Sequence, residues 1–363
     1  MKKVAHKSYL PANRVILDLI AKHPDFKVAY SISGTALDQF KAYAPEVLDS
    51  FHELAATGAV EFLAETYYHS LSSLFDPTEF KEQVKQHETA IRTEFKQKPR
   101  VFRNTELIYN NDIAQQAERM GYRAILAEGW DSILSWRSPN YVYAPKDTRI
   151  KLLLKNYRLS DDIAFRFSDK HWNSHPLTAD KFAGWLAPLL GDTINLFMDY
   201  ETFGEHQWAD TGIFNFLTHL PTALKHHGIT FHHPSDLLLT PAKEHLDIPH
   251  TISWADLERD TSAWLGNTIQ QNAAQKLYSL RANILATRDK NLITTFRKLT
   301  TSDHFYYMCT KWFSDGDVHK YFNPYDSPYD AFITYMNIIQ DLELTLKKQR
   351  GFFANMSKLL AST

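Results

Sequence analysis

Two carboxylates stand where apolar runs give way to polar loops, Glu106 in VFRNTELIYNND and Asp199 in DYETFGEHQW. In parallel α/β barrels the active site lies at the carboxyl-terminal mouth, so an acid that ends a strand is a catalytic candidate by position. Burying a carboxylate costs several kcal/mol unless it is paired or hydrogen-bonded, and two acids converging on one mouth call for a chemical reason. A facing pair is the minimal machinery for cleaving a glycosidic bond. At about 5 to 5.5 Å apart, one attacks the anomeric carbon while the other protonates the leaving oxygen and later activates water. Each acid taken alone is more often a strand-end or helix-cap carboxylate; the pair is what points to chemistry. Glu201 shares the parity of Asp199, and Gly204 lets the chain turn. Tyr67, Tyr68, Trp130, Trp136 and Trp208 would offer faces for sugar rings, although Tyr67 and Tyr68 taken alone are more often core or rim packing.

Other reaction classes lack their residues. There is no G-x-G-x-x-G after a strand, no G-x-x-x-x-G-K-[ST], no G-x-S-x-G and no H-E-x-x-H, so no nucleotide cofactor and no serine elbow is expected. Among 17 histidines, His226–His227 and His232–His233 are adjacent, but neighbouring side chains point apart, and surface histidines rather than metal ligands are the reading. Cys309 is the single cysteine, which excludes an intrachain disulfide and a cysteine-built metal site and fits a reducing cytoplasm.

Acids at strand ends require strands. From Pro11 to about Thr240, short apolar runs alternate with amphipathic stretches, the pattern of a mainly parallel sheet with crossover helices. The strand candidates are 26–33, 59–65, 101–107, 122–128, 149–155 and 193–199. Side chains two apart share a face of a strand, so Ile194, Leu196 and Met198 face helices, whereas Asn195, Phe197 and Asp199 face inward. Val60, Phe62 and Ala64 are likewise opposed to Glu61, Leu63 and Glu65. A half-polar strand favours a barrel with a polar upper interior over an open sheet covered on both sides. Arg103 falls on the face opposite Asn104 and Glu106 and has no role legible in the sequence. Beyond Pro249 the pattern turns helical over 255–300 and 328–363, with Phe332, Tyr335, Met336, Ile339, Leu342 and Leu346 spaced at threes and fours. The organisation expected is a barrel over 1–250 and a helical region over 251–363, interrupted by an insert, 301–330, rich in aromatic, Asp, Asn and Pro residues.

The chain has 363 residues, of which 44% are hydrophobic and 23% charged, values of an ordinary globular protein. Lys and Arg total 40 against 42 Asp and Glu, so no field of one sign recruits nucleic acid or an anionic membrane. No uncharged apolar run reaches 18 residues, and Asp18 interrupts VILDLIA, so neither a membrane span nor a signal peptide is expected. A cytoplasmic location follows as the expectation.

Four stretches, GAVEFLAETYYH (58–69), VFRNTELIYNN (101–111), LFMDYETFGEHQW (196–208) and TSDHFYYMCTKWF (301–313), occur in the order and spacing of the conserved regions of glycoside hydrolase family 57. The sequence resembles the α-amylase and 4-α-glucanotransferase group of that family. The resemblance implies a retaining mechanism on α-1,4-glucans or maltooligosaccharides, with Glu106 as nucleophile and Asp199 as general acid/base. It implies substrate contacts from Glu61, Glu201 and Asp303, with Asp303 bringing the 301–330 loop into the active centre, and hydroxyl contacts from His69, His206 and His304, beside Tyr67 and Trp208. The family opens with a strand bearing His-Gln-Pro. No such tripeptide occurs here, MKKVAHKSYLPAN resembles the helix after that strand, and His6 is not assigned the role. The fold expected is therefore α/β, an incomplete or irregular (β/α)7 TIM-like barrel lacking its first strand and followed by an α-helical region. An uncovered sheet edge would favour self-association as a homo-oligomer. The alternatives are a weakly active or non-catalytic glucan-binding remnant, and metal-dependent polysaccharide deacetylation, which would need a His/Asp ligand set not evident in the sequence.

Overall fold

A computed structural model describes residues 1–311 and 323–360. Positions 312–322 of the expected insert, with Trp312 and Phe313 of the fourth stretch, and positions 361–363 lie outside the described residues. The chain divides into two compact units, Met1–Tyr67 with Lys81–Trp254 and Tyr68–Phe80 with Ala255–Thr363.

The first unit is built on a row of parallel strands. β1 (Val28–Tyr30) pairs with β2 (Val60–Phe62), with Val28 opposite Val60, and a single parallel bridge from Ala64 to Phe102 carries the row to β3 (Val101–Arg103). β4 (Ala124–Glu128) pairs with β3 and with β6 (Lys151–Lys155). β5 (Ala144–Pro145) pairs separately with β7 (His245–Leu246). The 193–199 run, expected as a strand, contributes only a bridge between Asn195 and Lys155. Side chains occupy its ladder positions: the Asn195 amide donates to the Leu154 carbonyl at 2.9 Å, and the Phe197 N–H donates to Ser160 Oγ at 3.2 Å. Its two faces nevertheless divide as parity requires. Ile194, Leu196 and Met198 pack on a helical cluster with Phe182 and Phe216, while Phe197 packs inward with Leu63, Val101, Leu126 and Leu153.

Polar side chains cap several of the helices that follow the strands. Before β1 lies α1 (Leu10–Lys22), preceded by Lys2–Val4 and a π-helical turn, Ala5–Tyr9. After β1, Ser33 Oγ accepts the Ala36 N–H at 3.1 Å and opens α2 (Gly34–Tyr43), which is followed by α3 (Pro45–Ala56). α4 spans Pro77–Phe95. Asn110 opens α5 (Asn111–Arg119) and Asn156 opens α6 (Tyr157–Ala164), each accepting a first-turn N–H. α7 (Ala179–Leu186) and α8 (Ile213–His226) complete this unit. Phe40, Phe51, Phe62 and Phe95 join α2, α3, β2 and α4 in one core, with Phe62 stacked on Phe95 at 3.9 Å. The ends of the row also meet: the Tyr30 hydroxyl, closing β1, donates to the Tyr200 hydroxyl at 3.2 Å.

The second unit is helical among its described residues: α9 (Thr268–Ser279), α10 (Arg281–Thr287), α11 (Lys290–Leu299), α12 (Ser302–Tyr306) and α13 (Pro328–Leu360). Tyr335, Ile339, Leu342 and Leu346 are buried, so the stripe expected at threes and fours is the inner face of α13. Glu79, fully buried, accepts from Arg281 at 3.1 Å and from Arg297 at 2.8 Å. No described helix is long and apolar enough to cross a membrane.

Candidate active site

β3 ends at Arg103, and the chain then turns sharply. Glu106 and Leu107 adopt left-handed backbone angles, φ 55° and 50°, a conformation that costs non-glycine residues about 1–3 kcal/mol and persists where the surroundings enforce it. Here the Asn104 amide donates to the Ile108 carbonyl at 2.9 Å, and Thr105 Oγ1 lies 2.9 Å from Thr66 Oγ1. The turn delivers the Glu106 carboxylate to a site where only 4% of the residue is exposed. Glu106 Oε2 accepts the Trp254 indole N–H at 2.6 Å, and the Trp254 backbone N–H donates to the Glu106 carbonyl at 3.3 Å.

Two cations lie near the Trp254 ring. The Arg103 guanidinium lies 4.8 Å from its ring centre and the Lys155 ammonium 5.3 Å, close enough for cation–π attraction. Lys155, closing β6, is buried and pairs with Asp161 at 3.2 Å and with Glu128, the last residue of β4, at 3.6 Å. Arg103 thus gains the role that the sequence left open.

Asp199 is half-buried and precedes a short 3-10 turn, Tyr200–Thr202. Glu201 follows, its carboxylate accepting the Tyr9 hydroxyl. Burial pushes the Glu201 carboxyl up, the Asp199 and Glu205 charges push the same way, and the Tyr9 hydroxyl pulls it back. The Glu205 side chain is fully buried and paired with Lys3 and Lys7, each at 3.2 Å. Gly204 makes this loop possible: its φ is 114°, and a Cβ there would stand 2.0 Å from the Lys7 carbonyl. The His206 backbone N–H donates to the Glu201 carbonyl at 2.9 Å. Trp208 is 54% exposed, with Lys7 Nζ 4.6 Å from its ring centre.

The remaining expected residues fall into three groups. Glu61 lies mid-strand in β2, its Oε2 accepting the Ser235 backbone N–H at 2.9 Å, and burial pushes its carboxyl up. Tyr67 donates to Asp38 at 3.0 Å while its ring packs flat on Gly34, where a Cβ would stand 2.3 Å from the ring. His69, Asp303 and His304 belong to the second unit. There the Ser302 N–H donates to the His69 carbonyl at 2.9 Å and Ser70 bridges Thr301, so the segments carrying His69 and Asp303 run side by side. Burial lowers the His304 imidazole, against the pull of Asp303, and its ring centre lies 5.4 Å from that of Tyr335.

Sequence reasoning assigned no role to Trp254, Lys155, Glu128, Tyr9 or Glu65. Glu65 Oε1 accepts the Ser31 hydroxyl at 2.8 Å. Glu65, Glu128 and Lys155 end their apolar runs as Glu106 does, so the strand-end rule applied to every run would have found them. Nothing near Trp254 or Tyr9 in the chain announces a role. Among the described residues no group of three or more His, Cys, Asp or Glu is arranged to hold a metal ion.

The family model described as glycosyl hydrolase family 57 matches residues 1–249. A Methanocaldococcus jannaschii protein named "Putative alpha-amylase" is 47% identical over 359 residues, covering 95% of this chain and 76% of that protein. Of solved structures, a GH57-type branching enzyme from Pyrococcus horikoshii superposes with a TM-score of 0.72 at 14% identity, over 96% of this chain and 86% of that one. The 4-alpha-glucanotransferase from Thermococcus litoralis superposes with a TM-score of 0.67 at 13% identity over 84% of this chain, which spans about half, 52%, of that enzyme. These two likenesses speak to the fold.

Proposed function

The chain belongs to glycosyl hydrolase family 57, and on that premise we propose that it is a retaining hydrolase or glucanotransferase of α-1,4-glucans, with Glu106 as nucleophile and Asp199 as general acid/base. One observation carries the reading: an acid held on a left-handed turn at the carboxyl end of a parallel strand, nearly buried, with an indole N–H fixing one oxygen. In the first step a Glu106 oxygen bonds to the anomeric carbon as the glycosidic C–O bond breaks. The bonding electrons go to the leaving oxygen, which takes the Asp199 proton. In the second, Asp199 takes a proton from water or from a sugar hydroxyl, whose oxygen displaces Glu106 and restores the free carboxylate. Water yields hydrolysis and a sugar hydroxyl yields transfer.

Glu201, His206 and Trp208 adjoin Asp199 in the chain, and Asp303, His69 and His304 are proposed as further sugar contacts. The bonds of Glu61 to Ser235 and of Tyr67 to Asp38 support a bracing role for these two beside any contact with substrate. The parallel row from β1 to the Asn195 bridge, with Tyr30 meeting Tyr200, supports an irregular (β/α)7-type barrel over residues 1–250 as the catalytic domain. Maltoheptaose digestion by the whole chain tests the reading. Glu106→Gln and Asp199→Asn should each lower turnover roughly 10³-fold or more. Unchanged turnover in either variant overturns the assignment, and saturable maltoheptaose binding without product from the native chain would make it a glucan-binding protein instead.

A further inference from the structure

We propose that Tyr9, on the π-helical turn ahead of α1, is a positioning residue: its hydroxyl bond to Glu201 favours the charged carboxylate there and so favours a proton on the neighbouring acid/base, Asp199. The inference rests on the reading of Asp199 as acid/base and adds to it a residue far away in the chain. Tyr9 is 9% exposed, and its hydroxyl reaches Glu201 Oε1 across 192 residues of sequence. Its ring is fixed edge-on to Phe40 at 5.2 Å and stacked with Tyr200 at 6.3 Å. A π turn inserts one residue into a helix and re-aims the side chains beside it, a device concentrated at functional sites.

The whole turn is docked on the Asp199 loop. Lys3 and Lys7 pair with buried Glu205, the Lys7 carbonyl rests on Gly204, and Asn13 accepts the Tyr200 hydroxyl at 2.7 Å. The groups facing Glu201 are therefore Asp199, Tyr200 and Glu205 from its own loop and Tyr9 from the turn, with Lys3 and Lys7 paired to Glu205. Burial and two like charges draw a proton to Glu201, and the Tyr9 hydroxyl is the side-chain donor that opposes them. Asp199 and Glu201 interact through their charges, so a bond that favours the charged form of one favours a proton on the other. Without the Tyr9 hydroxyl Glu201 takes up a proton more readily, and its charge no longer favours a proton on its neighbour.

The test joins a kinetic comparison to a measurement that needs no turnover. A glycosyl fluoride leaves without protonation, whereas a sugar leaving group requires it. Tyr9→Phe should lower kcat on maltoheptaose about tenfold or more, with KM nearly unchanged, while losing far less on α-maltotriosyl fluoride. Glu201→Gln, which fixes that side chain neutral while leaving Tyr9 in place, should reproduce the same leaving-group-dependent loss. Carboxyl ¹³C NMR of Glu-labelled chain should show the Glu201 titration displaced upward in Tyr9→Phe. An equal loss on both substrates, or a Glu201 titration that does not move, overturns the inference. If the native chain turns over neither substrate, the glycosidase reading fails, and the NMR titration still decides the role of Tyr9.

Discussion

Replacing Trp254 by Phe removes one atom group that matters, the indole N–H 2.6 Å from Glu106 Oε2. A hydrogen bond to an ionised carboxylate contributes about 1.5–3 kcal/mol. At about 1.4 kcal/mol per factor of ten, its loss corresponds to roughly a 10- to 150-fold fall in kcat/KM if the bond aligns the nucleophile for attack. The Phe ring retains a π face for Arg103 and Lys155, now 4.8 and 5.3 Å from the indole ring centre, so most of the cation–π attraction survives. The assay is kcat/KM for maltoheptaose in Trp254→Phe and the parent chain, with thermal melts alongside. A loss within twofold at unchanged melting temperature would refute the claim that the indole N–H holds Glu106 in its attacking position.

Other perturbations follow from the same geometry. Lys155→Met leaves buried Glu128 and Asp161 without their shared cation, which should cost about 3–5 kcal/mol and lower the melting temperature by roughly 6–20 °C in calorimetry. Gly204→Ala forces a Cβ against the Lys7 carbonyl at a φ of 114°, and should both destabilise the chain by about 2 kcal/mol or more and weaken activity by displacing the Lys3–Tyr9 turn. His87 is buried with Nε2 2.8 Å from the Ile32 carbonyl and Nδ1 accepting the Glu65 N–H at 3.3 Å, and burial lowers its imidazole below the usual 6.5. It is therefore neutral in the fold. Its contribution is intact above pH 6.5 and is lost as pH falls below it, because the unfolded chain then takes up the proton first. Melting temperature against pH should decline less steeply below 6.5 in His87→Gln than in the parent.

Where the sequence was legible, the signal was periodicity. Alternation located the apolar cores of β1, β2, β3, β4 and β6, and threes and fours located Tyr335, Ile339, Leu342 and Leu346 on the inner face of α13. In the 193–199 run the same rule assigned the faces and missed the element. Parity reports where side chains go, whereas a strand also needs a neighbouring backbone, and here Asn195 and Ser160 side chains fill that place. The candidate site was legible only in part for a related reason. Glu106 and Asp199 announce themselves by ending runs, but the partner of Glu106 lies 148 residues on, in ISWADLER, a stretch with no polar or apolar period to mark it. Tyr9 sits in what reads as an ordinary helical segment, and the π turn that aims it at Glu201 leaves no trace in composition. Arg103, unexplained by face, becomes intelligible once Trp254 is beside it.

The central claim is that Glu106 becomes covalently bonded to sugar. A 5-fluoro-α-glycosyl fluoride slows release of the glycosyl enzyme more than its formation, so the intermediate accumulates and a peptide digest locates it by mass. One added fluoroglycosyl mass on the peptide carrying Glu106, absent in Glu106→Gln, is the result expected. Label on another carboxylate, with Glu106 unmodified while turnover stops, would contradict it.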